Sequence, residues 1–202
     1  MANYHDIRYD FAIPSGADVG DTVLIKTLTA SSSATLSFVN GSSDVVFDST
    51  YRTYIFKFYD IHPATDDVDL TFQVDTGTNT SYNQTITSSA FQVYHKEDAS
   101  ATALEYKANR DQAQGTAFQP LCQDIGNGND ESMSGYLYLF SPSSSVFVKH
   151  FIGLGTNVYS GDASIQIYSA GYINTTTALT RVQFKMDSGN IDAGTIKLYG
   201  IA

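Results

Sequence analysis

Near the end of the chain Val182, Phe184 and Met186 alternate with Arg181, Gln183, Lys185 and Asp187. A strand over these residues has one apolar and one wet face, and no helix can use a period of two. After the turn signal Ser188-Gly189-Asn190, Ile196 and Leu198 alternate with Lys197 and Tyr199, and the two runs read as a β-hairpin buried on one side. An earlier stretch echoes this one. Ile61–Gly77 aligns without gaps on Ile173–Gly189, with identities at Ile61/Ile173, Thr65/Thr177, Phe72/Phe184, Asp75/Asp187 and Gly77/Gly189, while Leu70/Val182 and Val74/Met186 keep the buried phase. The match resumes at Ala90–Tyr94 against Thr195–Tyr199 after a longer first loop. Either one supersecondary unit is used twice, or two amphipathic strands share a pattern that is easily matched.

The rest of the chain follows the same period. Short strands are predicted over 23–28, 34–39, 53–59, 68–74, 118–125, 136–140, 146–152 and 164–173, separated by Gly, Ser, Asn and Pro turns. The run 53–59 is apolar on both faces, which places it centrally in its sheet or under a second subunit. In the first copy of the unit Val68, Leu70, Phe72 and Val74 point inward and Asp67, Asp69, Thr71 and Gln73 outward, with Phe91 and Val93 on the return strand. Residues 101–114 are the one helix candidate, ending at Gly115, with a long loop carrying a turn of helix as the alternative. The predicted fold is all-β, an antiparallel β-sandwich of jelly-roll type with a duplicated strand unit. Residues 1–14 form an N-terminal strand or arm, 15–202 a single sandwich domain, and the repeat-like units lie at about 53–95 and 164–200.

Composition narrows the function. A formal charge of −10 lacks the Lys/Arg footprint that a phosphate backbone requires, so nucleic acid is not an expected partner. Cys122 is the only cysteine, which excludes an intrachain disulfide and leaves core burial to hold the fold. No apolar run is long enough to span a bilayer and no charged-then-apolar leader follows Met1, so no membrane partner is expected and synthesis in the cytoplasm is.

Three polar constellations are candidates for chemistry, and each has a plainer account. His62 with Asp66, Asp67 and Asp69 reads as a solvated strand face. Gly126–Glu131 offers too few oxygens for calcium, and Asp187, Asn190 and Asp192 have turn chemistry without metal-loop spacing. The histidines His5, His62, His95 and His150 show no zinc spacing, and no nucleophile elbow or phosphate loop is present. The expectation is a protein that is not an enzyme and has no cofactor, no catalytic residue and no metal ligand.

What the pattern leaves over is aromatic area. The strands 53–59, 136–140 and 146–152 carry more aromatic surface than one inner sheet face can absorb, and exposed apolar patches mark interfaces. The expected interface residues are Ile7, Tyr9, Phe11 and Ile13 on an N-terminal strand, with Tyr54, Tyr59, Tyr136, Tyr138, Phe147 and Phe151. The expected assembly is a homo-oligomer, with a trimer favoured.

Three segments resemble a known class: Asn3–Asp10, Gly135–Ser144 with Val148–Phe151, and Asp187–Ile201. They are similar to virion structural proteins of marine tailed bacteriophages, including those of cyanobacteria, and the likeness covers most of the chain. The resemblance implies residence in a virion and contact with other virion proteins, such as the major capsid protein or tail proteins. Its size suits a capsid-decorating or knob-type subunit. A tail-fibre or tail-tip domain that binds a host surface glycan is the second reading, and a polysaccharide depolymerase the third.

Overall fold

A computed structural model describes residues 22–201. The strands are β1 (Thr22–Thr29), β2 (Leu36–Val39), β3 (Thr53–Pro63), β4 (Leu70–Thr76), β5 (Ile86–Lys96), β6 (Thr102–Tyr106), β7 (Gln119–Pro120), β8 (Met133–Phe140), β9 (Lys149–Tyr159), β10 (Ala163–Ile173), β11 (Leu179–Met186) and β12 (Ile191–Ile201). They form an eight-stranded sheet of order β1-β12-β3-β8-β9-β10-β5-β6 and a four-stranded sheet of order β2-β11-β4-β7, antiparallel throughout. The fold is an all-β antiparallel sandwich, with no helix among the described residues.

The core is aromatic and centred on Phe184. Its ring meets Phe56 at 5.2 Å, Phe58 at 5.3 Å, Phe38 at 6.2 Å and Phe72 at 6.4 Å, drawing side chains from both sheets into one cluster. Phe72 in turn meets Phe151 edge-on at 5.1 Å. Edge-to-face contacts of this kind add to the hydrophobic burial that carries a chain without disulfides.

The two halves of the topology exchange around the middle of each sheet. Exchanging β1 with β6, β2 with β7, β3 with β10, β4 with β11, β5 with β12 and β8 with β9 reproduces both strand orders read from the opposite edge. β4 lies antiparallel beside β11 with Phe72 opposite Phe184, Val74 opposite Val182 and Leu70 opposite Met186, so the two echoing sequences face each other. The echo fails on the return strands. Ala90 and Gln92 are buried while Phe91 and Val93 are exposed, whereas Ile196 and Leu198 are buried; the matched residues are out of phase.

Three expectations are corrected here. The terminal hairpin is not one: β11 pairs with β2 and β4, and β12 pairs with β1 and β3 in the other sheet. Alternation says that one face of each strand is buried; it does not say whether the two faces sit side by side or look at each other across the core. Residues 101–114 hold no helix, because β6 satisfies its backbone on the edge of β5 and Lys107 N–H extends that pairing to the carbonyl of Ala90. Third, Asp69, Thr71 and Gln73 are buried, because the loops 77–85 and 107–119 cover the outer face of β4. Gln73 donates to the carbonyls of Gln84 and Ala117, and Asp75 accepts from Tyr82 N–H and from the side chains of Asn79 and Gln84.

The N-terminal arm lies outside the described residues, as do its interface candidates Ile7, Tyr9, Phe11 and Ile13. The run at 53–59 falls inside β3, between β12 and β8, as a strand apolar on both faces should.

Candidate functional site

The outer face of the eight-stranded sheet, turned away from the core, presents rows of aromatic and aliphatic side chains in register. One row runs Lys57, Tyr136, Leu154, Tyr168, Phe91, Tyr106 across β3, β8, β9, β10, β5 and β6. A neighbouring row runs Tyr199, Ile55, Tyr138, Ile152, Ala170, Ser89 from β12 to β5. Directly opposed residues interact in an antiparallel sheet, and Phe91 and Tyr168 do so, stacking at 4.8 Å; along the outer face of β8, Tyr136 and Tyr138 meet edge-on at 5.2 Å and Tyr138 stacks on Phe140 at 6.2 Å.

The charge distribution on this face is as telling as the rings. From β8 through β6 the outward positions hold Ser, Thr, Gln, Ala, Val, Leu, Ile, Tyr, Phe and His, with no Asp, Glu, Lys or Arg among them. A solvated sheet face in a chain of net charge −10 would carry some of that charge. Charge returns only at the β3–β12 end, where Lys57 lies over Tyr199 at 5.1 Å and Lys197 over Tyr59 at 5.3 Å.

The expected interface residues divide. Tyr136 and Tyr138 are half-buried in the rows, Tyr59 is exposed on the same face of β3, and Phe147 stands 72% exposed in the β8–β9 loop. Tyr54 and Phe151 are a correction, because both are fully buried in the core. Tyr54 points inward on β3 with its hydroxyl at the backbone of Asp48, and Phe151 packs on Phe72. Sequence reasoning missed Phe91, Tyr106, Ile152 and Tyr168. The apolar alternation of Phe91 and Val93 marked that face of β5 as inward, and here the rule runs backwards.

The polar constellations come apart in space. His62 Nε2 lies 3.1 Å from the carbonyl of Gly128, Asp66 accepts from Asn127 N–H, and Asp67 accepts from the Ser160 hydroxyl. Glu131 folds back onto Gly128 N–H, closing the glycine turn on itself. Among the described residues no three His, Cys, Asp or Glu side chains converge as a metal site.

Asp69 leaves that group altogether and enters a buried knot. Arg110 Nε lies 2.9 Å from its carboxylate and Asp124 N–H donates to it at 2.8 Å, while Arg110 also holds Asp124 at 2.9 Å. Burial pushes the Asp69 carboxyl up to about 7, against the opposing pull of the Asp124 N–H and Arg110. Burial also pushes the Cys122 thiol well above its ordinary value, which favours the neutral thiol over the thiolate. These groups tie β4, the 107–111 turn and the 121–125 loop together.

Comparison with known protein families, with curated proteins and with solved structures gives no match in any of the three.

Proposed function

We propose that the protein is a structural subunit of a bacteriophage particle, of capsid-decorating or knob type, and that it assembles through the outer face of its larger sheet. The observation that carries the reading is the charge-free aromatic face spanning β8, β9, β10, β5 and β6. With strands about 4.8 Å apart and alternate residues about 6.8 Å apart along each, that face measures on the order of 600 Å² per subunit. A pairwise contact through it clears the roughly 1,000 Å² that a specific interface needs. The expected state is a homo-oligomer, with capsid or tail proteins as further partners. The setting comes from the resemblance of Gly135–Ser144 and Asp187–Ile201 to virion structural proteins.

The test is quantitative mass spectrometry of phage particles purified from cells in which the protein is made. Copies in the hundreds per particle support decoration. A few to a few dozen copies favour the second reading, a tail appendage that binds host glycan, and absence from the particle overturns both.

A further inference from the structure

The two edges of the eight-stranded sheet are finished differently. At β1 a register shift between Leu24 and Lys26 interrupts the ladder, and a bulge carrying a lysine keeps an edge from recruiting another chain. The edge strands of the smaller sheet are short, four residues in β2 and two in β7. β6 has neither device. Its five residues pair with β5 in unbroken register, without a lysine, and among the described residues nothing pairs with its other side.

The ladder with β5 fixes which way the backbone groups of β6 point. Lys107 N–H donates to the carbonyl of Ala90 and Lys96 N–H to that of Ala101, so the odd-numbered residues of this stretch face β5. Alternate residues of an antiparallel ladder aim the other way, and Thr102, Leu104 and Tyr106 therefore hold N–H and C=O toward the open edge. The side chains of the last two are uncovered, Leu104 71% and Tyr106 59% exposed, beside Val93 and Phe91. Free donors and acceptors under exposed apolar side chains are a template for one more strand.

The chain contains a segment that matches the template. Ile7, Tyr9, Phe11 and Ile13 alternate with Arg8, Asp10 and Ala12. Laid on β6, such a strand sets two aromatic residues beside Leu104 and Tyr106, which lengthens the apolar rows by one step, and turns Arg8 to the side of Glu105. The β6 it meets is not its own. The segment leads into Thr22 on β1, at the opposite edge, and a strand beyond β6 lies eight steps of about 4.8 Å away, about 38 Å along the sheet. The nine Cα steps from Ile13 to Thr22 cover at most about 32 Å when fully extended.

We propose that residues 7–13 of one copy add as a strand to β6 of a second copy. This contact goes beyond outer-face assembly and does not depend on it. Seven residues against five is far below the roughly 20–30 a side of a standard interface. By itself the contact has a Kd on the order of 0.1 mM and is largely empty at micromolar concentration.

The experiment is amide hydrogen exchange, read by NMR on the intact chain at about 0.05 and 1 mM. The expected result is that the Thr102, Leu104 and Tyr106 amides slow about two- to threefold at the higher concentration while those of β1 do not change. A mixture shows that the strand comes from another copy. The labelled chain carries Tyr9→Pro/Phe11→Pro, which cannot build a ladder, and the unlabelled partner carries Leu104→Pro, which removes an N–H that β5 does not use. Alone, the labelled chain should show fast β6 amides, and adding the partner should slow them. Should Leu104→Pro lower the Tm, unlabelled native chain takes its place. Slowing that ignores concentration, slowing in the labelled chain alone, slowing at β1 in place of β6, or no slowing on mixing would each overturn the proposal. Ile152→Asp in both chains, three strands from β6 on the outer face, should leave the mixing result unchanged while it weakens outer-face assembly, so the failure of either contact is read separately.

Discussion

Phe72 and Phe184 stand directly opposite each other on β4 and β11, their ring centroids 6.4 Å apart, at the point where the two halves of the strand order exchange. Each is also the residue that the other matches in the sequence echo. Their meeting explains why the smaller sheet can hold the larger one with half as many strands: both rings project into the same core layer and gather Phe38, Phe56, Phe58 and Phe151 around them.

Phe184→Ala removes a ring that touches four others in a fully buried layer. It is expected to cost about 3–5 kcal/mol in urea unfolding. Phe118→Ala, whose ring lies over Lys185 on the covering loop, should cost clearly less, and equal losses would mean that the core is not organised around Phe184.

Asp69 makes stability depend on pH with an unusual sign. Its carboxyl rises from an ordinary 3.8 to about 7 on folding, so between those values the folded chain binds more proton than the unfolded one. This group's contribution is therefore fully present below about pH 4, falls as pH rises through 7, and changes by at most about 1.4 kcal/mol per pH unit. Asp69→Asn should remove that component of the slope in unfolding measured from pH 4.5 to 8, and an unchanged slope would contradict the assignment.

Gly155 on β9 lets the 121–125 loop approach the sheet, because a Cβ there would lie 2.1 Å from the carbonyl oxygen of Leu121. The obstacle is backbone and cannot rotate away. Gly155→Ala is expected to destabilise by about 1–3 kcal/mol or more, read as a drop in Tm, while Ala170→Gly on the outer face of β10 tests the general cost of glycine in a strand.

Cys122 is fully buried with a raised thiol. The native protein should be inert to a thiol reagent such as dithionitrobenzoate and should release one equivalent once unfolded in urea. Rapid reaction in the native state would show that the 121–125 loop opens.

Period-two alternation made most strands legible, including β8, β10 and the inward set Leu70, Phe72 and Val74. It could not say that β11 and β12 belong to different sheets, because a hairpin and a cross-core corner bury the same residues. Residue type misled in two places. The Ala, Glu, Gln and Arg content of 101–114 suggested a helix where an open edge on β5 recruited a strand, and Asp69 looked solvated until Arg110, distant in sequence, closed over it. The candidate face was half legible. Tyr136 and Tyr138 stood out as surplus aromatic area, whereas Phe91 and Tyr168 were hidden because an apolar face of a strand is ordinarily the buried one.

The central claim is that the aromatic outer face meets other proteins, and sedimentation equilibrium of the protein against its Phe91→Asp/Ile152→Asp variant tests it most directly. Both residues are exposed on that face, so the variant should keep its unfolding free energy within about 1 kcal/mol of the native chain's. The account predicts an oligomer for the native chain at micromolar concentration and a folded monomer for the variant. A native chain that stays monomeric, or a variant that assembles just as well, would contradict it.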